Sequence, residues 1–224
     1  MKRFSNFITF EGGEGVGKTT LIRRLEVELA KLDYQTLSTR EPGGSSLGEQ
    51  IRLLVLNHNQ VKIAPRAELL LFLAARVQHL DEVIRPALEA GKVVLCDRFN
   101  DSSVAYQGIA RGLGQENVQK LCDQVCEGAT PGLTFFLDLD PAVGLQRAHH
   151  SQRVIDRLES EEHKFHEKVR QGYLKLAKDH PERIVVIDAS LSPNEVFEKV
   201  WTILRKALVR HSGDKPLPAH EDVC

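Results

Sequence analysis

The sequence predicts an α/β protein, a five-stranded parallel sheet with helices on both faces. Three observations lead there. Short, near-continuous apolar runs alternate with stretches of helical periodicity, as expected when a parallel sheet is covered on both sides. Gly12-Gly13-Glu14-Gly15-Val16-Gly17-Lys18-Thr19 fits the phosphate-loop pattern G-x-x-x-x-G-K-[ST], and it lies between a strand-like and a helix-like segment. The chain has 224 residues, 42% hydrophobic and 27% charged, which suits one domain with a full core.

In chain order, Phe7-Ile8-Thr9-Phe10 reads as a buried strand, and Leu21, Ile22, Leu25 and Leu29 recur at helical spacing after the loop. Thr36–Thr39 is a second strand, stopped by Arg40-Glu41-Pro42-Gly43-Gly44. Ser46–Leu56 is amphipathic and helical. Pro65 opens a helix through Glu68–Val77, with a break or kink near Pro86. Val93–Cys96 is a third strand ending at Asp97-Arg98; a long polar segment follows, then a helix around Val118–Cys126. Thr134–Asp138 is a fourth strand, stopped by Pro141, and Val143–Arg157 combines helix with a basic turn. Glu161–Asp179 is a charged helix, Ile184–Asp188 a fifth strand, and Pro193–Leu208 a final helix. Residues 1–210 are expected to form one domain, and His211–Cys224, poor in apolar residues, a disordered tail.

The net charge of -1 disfavours a nucleic-acid partner, and anionic substrates would be met by local arginines. Cys96, Cys122, Cys126 and Cys224 form no C-x-x-C pair and read as thiols of a reducing cytosol. No apolar run is long enough to cross a membrane, and the N-terminus lacks the apolar core of a signal peptide, so the expected location is cytoplasmic.

The chemistry follows from the loop. Its glycines let backbone N–H groups converge on one anion, and the next helix adds the positive end of its dipole. Lys18 reaches the β- and γ-phosphates, and the Thr19 hydroxyl suits Mg²⁺. Glu14 would repel a triphosphate and is better suited to a sugar hydroxyl or to water near the metal. In parallel sheets ligands sit at the carboxyl ends of the strands, where Glu11, Arg40, Asp97-Arg98, Asp138 and Asp188 fall. Asp97 suits a carboxylate near the metal and Arg98 a bidentate phosphate ligand; a plain Asp–Arg pair is the alternative. Phe72 and Arg76 share a helix face, and Arg76 has no acid three or four positions away. A flat ligand stacked on Phe72 and bonded by Arg76 fits. So does a core Phe beside an Arg whose head reaches water, and the residues leave both open. Ser102, Ser103, Tyr106 and Gln107 suit a base edge and sugar, with Arg111 near. Arg147, Arg153 and Arg157 suggest a basic lid over about 147–160, since the phosphate loop carries no arginine of its own; the alternative is a solvated helix paired to Asp156, Glu159, Glu161 and Glu162.

Taken together, several stretches resemble the thymidylate kinase family, in its bacterial branch. They are Phe10–Thr20, Thr39–Gly44, Leu71–Arg76, Asp97-Arg98-Phe99 and Ser103–Gly108, in family order. The resemblance implies a nucleoside monophosphate kinase fold and the reaction ATP + dTMP → ADP + dTDP, with Mg²⁺, in a cytosolic homodimer serving dTTP synthesis. It implies ATP contacts from Gly12 to Thr20 and metal ligation at Thr19 and Asp97. It also implies that Phe72 stacks on thymine, Arg76 bonds its carbonyl and Arg98 holds the dTMP phosphate. Ser103 and Gln107 lie at the base, Tyr106 packs under the sugar against a ribose 2′-hydroxyl, and Glu14 lies near the 3′-hydroxyl. Arg40 joins the dTMP contacts, Glu41 assists metal or phosphate, and Arg153 leads the lid, so that Lys18, Arg98, Arg153 and Glu14 form the catalytic set. The apolar helices near Leu69–Val77 and Leu113–Cys126 are candidates for the dimer face. The alternatives are a phosphate-loop kinase with another nucleotide or deoxynucleoside acceptor, and a GTPase-like switch, whose D-x-x-G and N-K-x-D motifs are missing.

Overall fold

The computed structural model describes residues 3–57, 62–150 and 156–209. The strands β1 (Arg3–Glu11), β2 (Thr36–Arg40), β3 (Val93–Asp97), β4 (Thr130–Asp138) and β5 (Ile184–Asp188) form one five-stranded sheet in the order β2-β3-β1-β4-β5, and all neighbours run parallel. The expected sheet is present, with β1 and β4 longer at their starts than their apolar centres suggest. Alternation along each strand divides the core. Ile8, Phe10, Leu95, Phe135 and Leu137 meet α1 (Lys18–Ala30) and α9 (Pro193–Val209) on one face. Phe7, Val94, Cys96 and Phe136 point to the other face. There they meet α3 (Pro65–His79), α4 (Arg85–Glu89), α6 (Gln115–Cys126) and α8 (His163–Asp179).

Local signals explain the ends of these helices. Gly17, at φ 93°, turns the chain into α1. The Ser45 hydroxyl accepts from Gly48 N and opens α2 (Ser46–Leu56). Pro65 stands in the first turn of α3, where its missing N–H costs nothing.

The structure gives two local expectations their form. The irregularity expected near Pro86 is not a full break. A π-helical turn, Leu80–Ile84, precedes the proline and leads into α4, whose first turn holds it. A proline there deprives one carbonyl of its donor and crowds the preceding turn, and a widened turn makes room. The long polar segment after Arg98 is helical. It forms α5 (Asn100–Ser103) and a π-helical segment, Val104–Ala110, in which residues 104–108 are all buried. It packs closely on α8 because Gly172 has no side chain; a Cβ there would stand 3.2 Å from Ala105 Cα. Among the described residues the basic stretch is helical in α7 (Pro141–His150), and residues 157–160 form a turn. Arg153 and the tail from 211 to 224 lie outside the described residues.

Candidate active site

The phosphate loop joins β1 to α1 at the carboxyl edge of the sheet. Gly12, Gly15 and Gly17 hold φ values of 145°, 65° and 93°, open to glycine and strained for other residues. Gly12 also has no room for a side chain, since a Cβ would lie 2.7 Å from Leu137 O. Lys18 folds back over the loop, its Nζ donating to Gly13 O at 3.0 Å and Gly12 O at 3.3 Å, with Asp97 Oδ1 at 3.9 Å. Burial pulls its pKa below the usual lysine value, with Arg98 adding to the shift. The Thr19 hydroxyl donates to Asp97 Oδ2 at 3.3 Å, so two hard oxygen ligands from β3 and α1 face one another.

Arg98 is in the left-handed region at φ 71°, a backbone position uncommon for a large side chain and concentrated at functional sites. Its guanidinium bonds Gly12, Glu14 and Tyr173 and makes no direct hydrogen bond to Asp97, which faces Thr19 and Lys18 instead. NH1 donates to Gly12 O at 2.8 Å, NH2 to Glu14 Oε1 at 2.5 Å, and the guanidinium lies 5.3 Å from the Tyr106 ring centroid.

From this edge a cavity of about 490 Å³ runs beneath α3 and the π-helical segment. Glu14 to Thr20, Arg40, Phe72, Arg76, Asp97, Arg98, Ser103, Tyr106 and Gln107 all line it. Gly12 and Gly13 stand behind, giving their carbonyls to Lys18. Arg76 does not reach for water: it is 2% exposed, with Nε on Glu41 Oε2 at 2.6 Å and NH2 on Phe99 O at 3.1 Å. Glu41, which also lines the cavity, thus holds an arginine, and its Oε1 faces His79 Nδ1 at 3.1 Å.

Of the expected lid arginines, Arg147 and Arg157 are among the described residues and have separate partners. Arg147 lines the cavity and donates to Ala189 O. Arg157 is pinned by Val55 O and Glu68 and not by the acids beside it in sequence. Arg111 binds Glu68 and Glu161 behind the cavity wall.

Sequence reasoning missed Glu68 and His79, although Glu68, Phe72, Arg76 and His79 recur at spacings of four, four and three and form one buried stripe of α3. It also missed Tyr173, Arg52 and Glu159. Tyr173 OH donates to the buried Glu11 carboxylate at 3.1 Å, and Arg52 and Glu159 line the cavity. Burial, with Glu14 next, lifts the Glu159 carboxyl to about 7.

The sequence model of the family described as thymidylate kinase matches residues 10–200. The chain belongs to the thymidylate kinase family. A thymidylate kinase of Protochlamydia amoebophila is 50% identical over 207 residues, covering 89% of this chain and 92% of the relative. One from Geobacillus thermodenitrificans is 52% identical over 202 residues, covering 89% and 90%. The crystal structure of thymidylate kinase from Ehrlichia chaffeensis superposes with a TM-score of 0.73 at 33% identity, covering 88% of this chain and 97% of the other. Kinase-family membership and the phosphate-loop fold therefore rest on sequence and structure alike.

Proposed function

We propose that the chain transfers the γ-phosphoryl group of ATP to dTMP, giving ADP and dTDP on the route to dTTP. One observation carries this reading. A single cavity joins the phosphate loop at one end to Phe72, Arg76, Tyr106 and Gln107 at the other, with Arg98 between them. A triphosphate on the loop and a flat base on Phe72 would bring the acceptor phosphate to Arg98. Gly12 to Thr20 hold the donor. Phe72 stacks on thymine, Arg76 bonds a ring carbonyl, and Ser103 and Gln107 meet the base edge. Tyr106 packs under the sugar, Glu14 meets the 3′-hydroxyl, and Arg40 adds charge at the mouth.

Thr19 and Asp97 fit Mg²⁺, which takes few protein oxygens and several from phosphate and water. When bound, the ion offsets charge on the phosphate oxygens. The acceptor phosphate is already a nucleophile at neutral pH, so the chain's task is positioning and charge neutralisation by Lys18 and Arg98. Residues 147–160, with Arg153 leading, act as a lid on the single domain of residues 1–210.

The protein works as a cytoplasmic homodimer without nucleic-acid or membrane partners. The buried free thiols Cys96, Cys122 and Cys126 support a reducing compartment, and no helix among the described residues is long and apolar enough to cross a membrane. The deciding experiment is ADP release from ATP and Mg²⁺ with dTMP, dUMP, dCMP and AMP offered separately. Strong preference for dTMP is expected; preference for another acceptor would overturn the base site but keep the kinase.

A further inference from the structure

Glu68 lies on α3 one turn before Phe72 and is 1% exposed. Three side chains converge on its carboxylate. Gln107 Nε2 donates to Oε1 at 2.9 Å, Arg111 donates to both oxygens at 3.3 Å, and Arg157 NH2 donates to Oε2 at 2.5 Å. Burial, the largest single influence, would raise its pKa, but Gln107, Arg157 and Arg111 together hold it below the usual carboxylate value. The group is therefore ionised at neutral pH.

An ionised carboxylate accepts hydrogen bonds and donates none. It leaves the Gln107 amide one orientation, with NH₂ toward Glu68, because the flipped amide would set its carbonyl oxygen against carboxylate Oε1. Gln107 lines the cavity. Its Oε1 is engaged by no donor among the described residues, and it is not sealed from the cavity. An acceptor is thus what Gln107 offers to a ligand.

We propose that Glu68, which does not itself line the cavity, sets the hydrogen-bond polarity of the base site by fixing Gln107 as an acceptor. The site then takes a base with a ring N–H, the thymine and uracil class, and opposes one with a bare ring nitrogen, the cytosine class. Glu68 is a specificity-determining residue acting through Gln107. The inference rests on the base-site reading above and adds to it the origin of its selectivity.

Glu68→Gln tests it. The one acceptor oxygen of the new amide would go to Arg111 and Arg157, the charged donors, and its NH₂ would face Gln107. Gln107 would turn over and present N–H to the cavity. The quantity measured is the ratio of kcat/KM for dTMP to that for dCMP. It is expected to fall by about tenfold in Glu68→Gln, the scale of one mismatched buried hydrogen bond. In Arg111→Gln, which loosens the same cluster but leaves the carboxylate, the ratio should stay within about twofold of the unaltered protein. A folded Glu68→Gln protein with an unchanged ratio would overturn the proposal, as would an equal fall in Arg111→Gln. If the unaltered protein itself failed to distinguish dTMP from dCMP, the base-site reading would fail first.

A second measurement covers the case in which Glu68→Gln does not fold. In the unaltered protein the side-chain amide protons of Gln107, followed by NMR, should resist solvent exchange both without and with dTMP. Rapid exchange in either state would show that Glu68 does not hold them.

Discussion

Arg98 NH2 lies 2.5 Å from Glu14 Oε1 across the floor of the cavity, so the residues proposed for the acceptor's phosphate and sugar hold each other in the structure. Each is about one-sixth exposed, and NH1 of the same arginine is fixed by Gly12 O. An entering phosphate would take over a guanidinium already placed and charge-balanced, with little reorganisation. Arg98→Ala is expected to lower kcat/KM by at least about a hundredfold, and Lys18→Ala by a similar factor, with melting temperature little changed. Steady-state kinetics beside thermal unfolding checks this, and near-normal turnover in a folded variant removes that residue from the mechanism.

The phosphate loop depends on a contact that sequence alone does not reveal. A Cβ on Gly144, in α7, would stand 2.3 Å from Glu14 O, and one on Gly15 would stand 2.0 Å from Gly144 O. Helix and loop therefore touch backbone to backbone, and the side chain of Gly144→Ala must displace residues 14 and 15. A shift of about 1 Å in a catalytic loop costs up to about a hundredfold in rate. We expect Gly144→Ala to lose between about tenfold and a hundredfold in kcat/KM, with KM for ATP raised. An unaltered KM for ATP would mean that the loop absorbs the methyl group.

These cases show what was legible in the sequence. The loop, the five apolar strands and the shared face of Phe72 and Arg76 are local patterns, written within one turn or one strand. The partner of Arg76 is not local: Glu41 is 35 residues away and meets it only because β2 ends beside β3. Arg157 has acids next to it in sequence, yet it binds Glu68 on a helix about ninety residues earlier, because its own backbone N–H is held by Leu56 O at the end of α2. The stretch after Arg98 reads as polar because Asn100–Ser103 open it and Gln107-Gly108 interrupt the apolar Val104-Ala105-Tyr106 and Ile109-Ala110; its helical form and burial come from packing on α8, which no local pattern encodes.

For the dimer we propose a specific face. Leu53 of α2 and Leu70 of α3 are each 60% exposed, on helices that pack side by side, with Val77 and Leu121 also exposed on α3 and on the adjoining α6. Clustered exposed leucines on neighbouring helices mark an association surface. Leu70→Glu should convert the dimer to a monomer in sedimentation equilibrium. A dimer that persists at micromolar protein would place the interface elsewhere.

Behind the site, Arg183 and Asp101 form a buried bidentate pair, NH1 to Oδ2 and NH2 to Oδ1, both at 2.7 Å. NH1 also donates to Thr134 Oγ1 at 3.1 Å, which ties α5 to the start of β5 through β4. Removing one partner strands the other charge in the core. Asp101→Ala is expected to cost about 3–5 kcal/mol, a fall of about 10 °C in Tm. Asp101→Ala combined with Arg183→Met should recover much of that loss, because no unpaired charge remains. If the double variant is no more stable than Asp101→Ala, a stranded charge is not the source of the cost.

Glu11 gives the fold a pH dependence of defined sign. Its Oε1 accepts from Phe99 N at 2.8 Å, and its Oε2 meets Ser102 Oγ at 2.5 Å and Tyr173 OH at 3.1 Å. Full burial, with the charge of Asp101 next, lifts the carboxyl from an ordinary 4.5 to about 7, against the lowering effects of Ser102, Arg98 and the Phe99 N–H. The folded protein thus binds the proton more tightly than the unfolded chain does. Between pH 4.5 and 7 the folded state holds a proton that the unfolded state has lost, so this group's contribution to stability falls as pH rises through that window and is level above it. The whole change is at most about 3 kcal/mol. Glu11→Gln replaces the protonated acid with a neutral amide that can accept from Phe99 N–H and donate to either hydroxyl, so this part of the slope should vanish. Glu159, also raised to about 7, leaves a residual slope of the same sign. Denaturant unfolding of both proteins from pH 5 to 8 measures the difference. It should favour Glu11→Gln increasingly toward pH 7 and then level off, and a difference independent of pH would mean that Glu11 is ionised in the folded core throughout.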